Sequence, residues 1–248
     1  MKTLLIVNTG NDGDIIAESL NHNEKFFDKI IIVDRASQDN TISQIESLNN
    51  NKISIVKEGF FPAILQPAIN QVVLSNTSNE FDFCIILDAD EFIVANDLNE
   101  LKSIKNTEIG LISWRCYVPT KSVYSDFKLN IVNRRTLEPK GCNKIVLPKY
   151  TESNLVLGNH YAHDIFGTRI QHIELKTIFI AHFPVRSIEQ YNKKIKFFNN
   201  INLNGLSNKQ LIHLINIPEI KTIEELKERA INYVAKIDGQ TLIYDPVL

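Results

Sequence analysis

Hydrophobic and polar positions in the first ninety residues alternate between two periods. Thr3–Asn8 is an apolar run, and Asp14–Leu20 then repeats at helical spacing. Lys29–Asp34 is a second run, rich in β-branched residues, followed by a helical stretch over Thr41–Leu48. Lys52–Lys57 reads as a strand, Pro62–Leu74 as a helix with proline at its start, and Phe81–Leu87 as a fourth strand. Continuous apolar strands separated by helices predict a parallel sheet covered on both faces, an open doubly wound α/β fold.

After Glu91 the pattern changes. Asp97–Ile104 reads as a short helix with Asp97 as its cap and Glu100 three residues on. Shorter strand-like pieces follow at Ile109–Trp114, Leu129–Asn133, Lys144–Leu147 and Thr177–His182, which suggests a mixed extension of the sheet. The tail reads as helical: Ser187 with Gln190, Ser207 with Gln210 and Thr222 with Glu225 each have capping-box spacing. The expected division is an α/β domain over 1–186 and a helical extension over 187–248.

In doubly wound sheets ligands sit beyond the carboxyl ends of the strands. Those ends hold Asn8-Thr9-Gly10, Asp34-Arg35-Ala36-Ser37 and Asp88-Ala89-Asp90-Glu91. The last cluster crowds three carboxylates into four residues, which is costly unless a cation or a proton offsets them. Asp88 and Asp90 point the same way if the strand persists. Hard oxygen ligands of this kind suit Mg²⁺ or Mn²⁺, with water and phosphate oxygens completing the shell. The alternative is a set of solvated loop acids. Ser37, Asp39, Asn40 and Thr41 also read as caps of the following helix.

Asp34-Arg35-Ala36-Ser37-Gln38-Asp39-Asn40-Thr41, followed by Leu87-Asp88-Ala89-Asp90-Glu91-Phe92-Ile93, resembles family 2 glycosyltransferases of the GT-A fold. The resemblance covers roughly 3–186 and extends loosely to Asn11-Asp12, Trp114, Arg134, Lys144 and His160. It implies an inverting transferase that moves a sugar from a nucleotide diphosphate, most often UDP, to a hydroxyl. Asn8 and Asp34 then line the uracil and ribose pocket, Asp88 meets the ribose or the metal's water shell, and Asp90 binds the metal. Two residues depart from the pattern. Arg35 stands where an acid or Asn is usual, and Asp12 stands where Glu is usual.

These readings give a set of candidate residues. Asn8, Thr9, Asp34, Arg35, Asp88, Lys144 and Arg134 are nucleotide-sugar contacts. Asp88, Asp90, His182 and His160 are metal ligands. Asp164 is the favoured catalytic base, with Glu91 and Glu189 as rivals. Arg135 and Arg186 are further cations for the diphosphate, and Trp114 packs in the core or stacks on sugar. Two other classes remain open. A phosphatase of the haloacid-dehalogenase type also uses D-x-D after an apolar strand, but on its first strand and followed by Gly-Thr. A non-catalytic nucleotide-sugar binder is the other.

Composition narrows the partners. The chain has 248 residues, 44% hydrophobic, enough to bury a core without disulfides. A net charge of −2 removes the electrostatic case for nucleic acid. Three widely spaced cysteines with no CxxC suggest neither a disulfide framework nor a zinc site. The run Leu4–Val7 is too short for a signal peptide, and no run approaches the ~18 apolar residues of a membrane span. A cytoplasmic protein is expected. Phe197-Phe198 and the Tyr191–Phe198 helix read first as packing elements; Lys193, Lys194 and Lys196 beside them leave an interfacial helix, and so at most peripheral contact with the inner membrane face, as the alternative. The acceptor is then a saccharide or a lipid-linked hydroxyl. The Asn-, Ile- and Lys-rich composition suggests a bacterial source and surface polysaccharide or lipopolysaccharide synthesis.

Overall fold

The structure is a computed structural model, and it describes residues 1–58, 65–77, 80–118, 132–149, 151, 153–199 and 218–247. The chain forms two compact units, Met1–Trp114 with Gly141–Ile180 and Arg115–Lys140 with Ala181–Leu248. The second unit therefore takes in a central segment as well as the tail, a grouping that local periodicity does not reveal.

The first unit opens with β1 (Thr3–Thr9), α1 (Ile16–Asn23), β2 (Lys29–Arg35), α2 (Thr41–Ser47), β3 (Ile53–Glu58), α3 (Gln66–Thr77) and β4 (Phe83–Asp88). Strands β3, β2, β1 and β4 lie side by side in parallel. This is the βαβ arrangement that the alternating periods predict. Pro62 lies outside the described residues.

Alternation along each strand feeds two cores. Leu5, Val7, Ile30, Ile32, Ile85 and Leu87 meet Ile16, Leu20 and Ile45 of α1 and α2 on one face. Leu4, Ile6, Ile31, Val33, Cys84 and Ile86 meet Val73 and Leu74 of α3 on the other.

A turn at Ala89–Asp90 leads into β5 (Glu91–Val94), and β6 (Glu108–Val118) follows a short 3-10 turn over Asn99–Ser103. The expected cap differs here. Glu100 sends its carboxylate to the backbone N–H groups of Lys176 and Thr177 rather than back to its own helix start.

In the second unit, β7 (Asn133–Arg135) pairs with Tyr117 and Val118. The first unit continues with β8 (Asn143–Pro148), antiparallel to both β4 and residues Gly110–Ser113 of β6. Gly110 is needed there, since a Cβ would stand 2.6 Å from Ile104 Cδ1 and 3.1 Å from Val146 Cβ. A small hairpin of β9 (Asn154–Leu155) and β10 (Ala162–His163) precedes β11 (Gln171–His182).

The second unit closes with α4 (Ile188–Asn199), α5 (Ile223–Ile231) and β12 (Leu242–Tyr244), the last paired with β7. Thr222 and Glu225 form the predicted capping box of α5, and Ser187 Oγ accepts the Gln190 N–H at 3.1 Å. The proposed helix at Ser207 lies outside the described residues. Tyr191 and Ile195 of α4 pack with Leu226 and Ala230 of α5, while Lys193 and Lys196 pair with Glu189 and Glu219. That arrangement gives α4 a core-facing apolar side and spends two of its lysines on carboxylates. Among the described residues no helix is long and apolar enough to cross a membrane.

Candidate active site

Strand register brings the predicted clusters together in the first unit. Asn8 stands opposite Asp88 on one side, and Thr9 opposite Asp34 on the other. Alternation then sorts their side chains. Thr9 and Asp34 continue the face covered by α1 and α2, whereas Asn8, Arg35 and Asp88 continue the face covered by α3.

The loops after β1 and β2 are stitched to each other. Ser37 Oγ donates to Asp34 Oδ1 at 2.6 Å and accepts the Asn11 N–H at 2.9 Å. Asn11 Oδ1 accepts the Gln38 N–H, Asp39 Oδ2 accepts the Gly13 N–H, and Thr41 Oγ1 accepts the Asp12 N–H. Asp12 turns back to accept from Thr9 Oγ1 and the Gly10 N–H. A Cβ on Gly13 would fall 2.0 Å from Asn40 Oδ1, so glycine alone permits this approach. Ser37 and Thr41 thus reach across to the neighbouring loop instead of capping α2, whose own N-cap, Asn40, makes no side-chain cap bond.

Asp88 is the last residue of β4, so the strand does not persist to Asp90 and the period-of-two argument ends there. The Asp88 side chain is 39% exposed and receives Lys144 Nζ at 2.6 Å. Gln66 Nε2, from the first turn of α3, donates to its other oxygen at 3.4 Å. Glu91 is fully buried. Its Oε2 accepts the Asp88 N–H at 2.8 Å and lies 3.4 Å from Lys144 Nζ. Its Oε1 is buried and meets no hydrogen-bond partner.

Burial pushes the Glu91 carboxyl up to about 8, with the negative fields of Asp88 and Asp90 adding to the shift and Lys144 opposing it. Burial alone would pull Lys144 down, but Asp88, Glu91 and Asp90 together hold its ammonium above the usual lysine range. At neutral pH the motif therefore favours a charged Lys144 and a protonated Glu91.

Does this donor set fit a divalent cation? Among the described residues no group of three or more His, Cys, Asp or Glu side chains is arranged to hold a metal. The motif instead offers carboxylate oxygens beside one buried ammonium, with an accessible Asp88. That suits a cation that takes its remaining ligands from water and phosphate, the usual habit of Mg²⁺.

Other predicted residues fall in varied settings. His160 joins the cluster: its ring stands edge-on to Trp114 at 5.1 Å, and Lys144 Nζ lies 5.7 Å from the Trp114 ring centre. Its Nδ1 is 2.6 Å from the Asn143 carbonyl. Burial, then the Lys144 charge, lowers its pKa, so the ring is neutral.

Asp164 is engaged elsewhere in this unit. Its Oδ1 accepts the N–H groups of Phe166 and Thr168 and closes the turn 164–168. Glu91, fully buried, has the setting of a positioning residue rather than a base that meets a substrate hydroxyl.

In the second unit Arg134 pairs with Asp245, which also accepts from Tyr117. Arg135 pairs with Glu138, and Arg186 donates to the Phe183 carbonyl. His182 is buried there beside Cys116 and Tyr233. Gln66 and Asn143 carry no motif signal in the sequence. Only the Gln66–Asn70 spacing, one turn of α3 with both residues buried, marks a polar helix face.

Two clefts among the described side chains, about 380 and 500 Å³, are lined in part by Lys2, Asp28, Lys29 and Phe27 near the amino ends of β1 and β2. They hold none of the groups above. The case for a site rests on the converging chemistry at the carboxyl ends.

The described strands thus form a mixed sheet with a parallel β3-β2-β1-β4 core and Asp88 at the end of β4, and several solved structures of sugar-transferring enzymes resemble the chain at low identity. One is S. aureus TarS 1–349 in complex with UDP, with 15% identity and a TM-score of 0.45, covering 94% of this chain and 79% of that one. Another is the mannosyltransferase PcManGT from Pyrobaculum calidifontis in complex with GDP-Man and Mn²⁺, with 20% identity and a TM-score of 0.33, covering 45% of this chain and 34% of that one. A third is glucosyl-3-phosphoglycerate synthase from Mycobacterium tuberculosis with Mn²⁺ and UDP-glucose, with 12% identity and a TM-score of 0.34, covering 46% and 44%. The chain thus spans about a third of the mannosyltransferase and under half of the synthase. No family model matches, and no curated protein matches.

Proposed function

We propose that the chain transfers a sugar from a nucleotide diphosphate to a hydroxyl of a saccharide or lipid-linked acceptor, with inversion at the anomeric carbon. One observation carries this reading. A half-exposed Asp88 ends β4 next to Asn8, its carboxylate held by Lys144 and Gln66 and its backbone N–H by Glu91.

A Mn²⁺ or Mg²⁺ ion held by Asp90 and Asp88 would neutralise charge on the departing diphosphate. Lys144 orients Asp88 and limits the negative charge that the donor's phosphates must approach. Protonated Glu91 fixes the Asp88 backbone without adding a further negative charge. The stitched loops 10–15 and 36–41 hold the strand ends in place before the nucleotide arrives, so little ordering remains to be done on binding. Uridine is the base that the family resemblance implies.

The test is a panel of nucleotide sugars followed by thermal shift with and without Mn²⁺, then transfer assays with the donor that stabilises. A donor that stabilises only with metal supports the proposal. Asp90→Ala should lower transfer by about a hundredfold or more; full metal-dependent transfer by the folded variant ends the proposal. An anomeric configuration retained in the product, read by NMR, removes the inverting step.

A further inference from the structure

Two buried polar atoms on the α3 face of the strand ends lack hydrogen-bond partners: Asn8 Oδ1 and Arg35 Nε. Asn8 is 2% exposed, and its Nδ2 donates to the Leu87 carbonyl at 3.5 Å, which sets the direction of the amide and leaves Oδ1 as the open acceptor. The Arg35 guanidinium lies against Gly10, where a Cβ would stand 3.3 Å from both Nε and Nη2. Gly10 thus leaves the room in which that edge of the guanidinium sits. Unsatisfied buried donors and acceptors are rare in native proteins and call for an explanation such as a ligand.

Their placement suggests which part of a ligand they would meet. β1 lies between β2 and β4, so the end of β2 is two strand spacings, roughly 10 Å, from the acidic motif. A nucleoside laid across the end of β1, with its diphosphate at Asp88 and Asp90, brings its base to Asn8 and Arg35.

We infer that Arg35 and Asn8 read the base of the nucleotide, and that they select a base with two adjacent acceptors and a donor beside them. Guanidinium is a fork of donors with no acceptor, so it needs two neighbouring acceptors to engage fully. Asn8 Oδ1 needs an N–H. Cytosine meets both demands with O2, N3 and its N4 amino group, and guanine does so with N7, O6 and N1–H. Uracil places an N–H between its two carbonyls, and adenine sets its amino group between ring nitrogens, so neither offers the fork two neighbouring acceptors. The inference rests on the nucleotide-sugar reading above and departs from uridine on the strength of Arg35.

Isothermal titration of the intact chain with CDP, GDP, UDP and ADP, at fixed Mg²⁺, tests it. CDP or GDP should bind about tenfold or more tightly than UDP and ADP, as one bidentate base contact supplies. The CDP and GDP arms decide between the two bases. Arg35→Asp, which exchanges a donor for an acceptor, should lose that preference and gain affinity for UDP. Arg35→Gln, read in the same way, serves if circular dichroism shows the first variant unfolded. Tightest binding of UDP by the unaltered chain, or an unchanged ranking in a folded variant, overturns the base assignment and leaves the nucleotide reading standing. Failure of all four nucleotides to bind removes both.

Discussion

Lys144 is a fully buried ammonium between two carboxyl groups, and its removal separates electrostatics from packing. Lys144→Met keeps much of the volume but strands Asp88 and Asp90 without their counter-charge. Asp88 is 39% exposed, so water offsets part of the loss and the cost is about 1–3 kcal/mol; urea unfolding should show it as a lower midpoint with an unchanged slope. Ser37→Ala removes one hydrogen bond between the loops, from Asn11, and one to Asp34 at the end of β2, at about 1 kcal/mol each, and should weaken nucleotide affinity as well as stability. At this scale the sequence revealed much of the chemistry but not its employment. Asp88, Asp90, Lys144, Trp114 and His160 were all singled out, and the structure gathers Asp88, Lys144, Trp114 and His160 around one point. Sequence offers Asp164 as a base, with Glu91 and Glu189 as rivals, but not the setting of any of them. Burial of Glu91 and the backbone bonds of Asp164 come from tertiary packing, to which local sequence is blind.

The parallel strands and their helices were legible because each apolar run is uninterrupted and each helix repeats at its own period. The second half was less so, since short strands take their partners from afar and turns such as Ala89–Asp90 cut a pattern that would otherwise continue. His22 of α1 shows how such elements are joined. Its Nε2 stands 2.7 Å from the Ile93 carbonyl and its ring meets Phe92 edge-on. Burial, the largest cause, lowers its pKa below the ordinary 6.5. The folded state thus disfavours a proton that the unfolded chain accepts. The stabilisation is present above pH 6.5 and is lost as pH falls below it. Thermal midpoints should decline between pH 7 and 5, and His22→Gln, which can still donate to Ile93, should flatten that decline. A variant as pH-sensitive as the parent would place the effect in another group.

For the molecule as a whole, the three cysteines form no disulfide with one another, and Cys84 and Cys116 are buried and Cys142 half-buried. Burial also pushes the Cys84 thiol far above its usual range, so its thiolate is scarce. A thiol reagent should titrate Cys142 first in the native protein and all three cysteines after denaturation. Addition of reductant should leave the unfolding curve unmoved. The division into two compact units was hidden from sequence reading because residues 115–140 join the tail across a long stretch of chain.

The seams between the loops after β1 and β2 pass through Asn11, Gly13, Asp34, Ser37, Asp39 and Thr41, and they skip position 35. Substitutions at the seam residues disturb the scaffold, whereas a change at 35 leaves every stitch intact. On the base assignment inferred above, donor preference can drift by single exchanges at a place outside these stitches, with little penalty in folding. Relatives built on the same frame are free to diverge in the nucleotide they accept while keeping the rest of the edge constant.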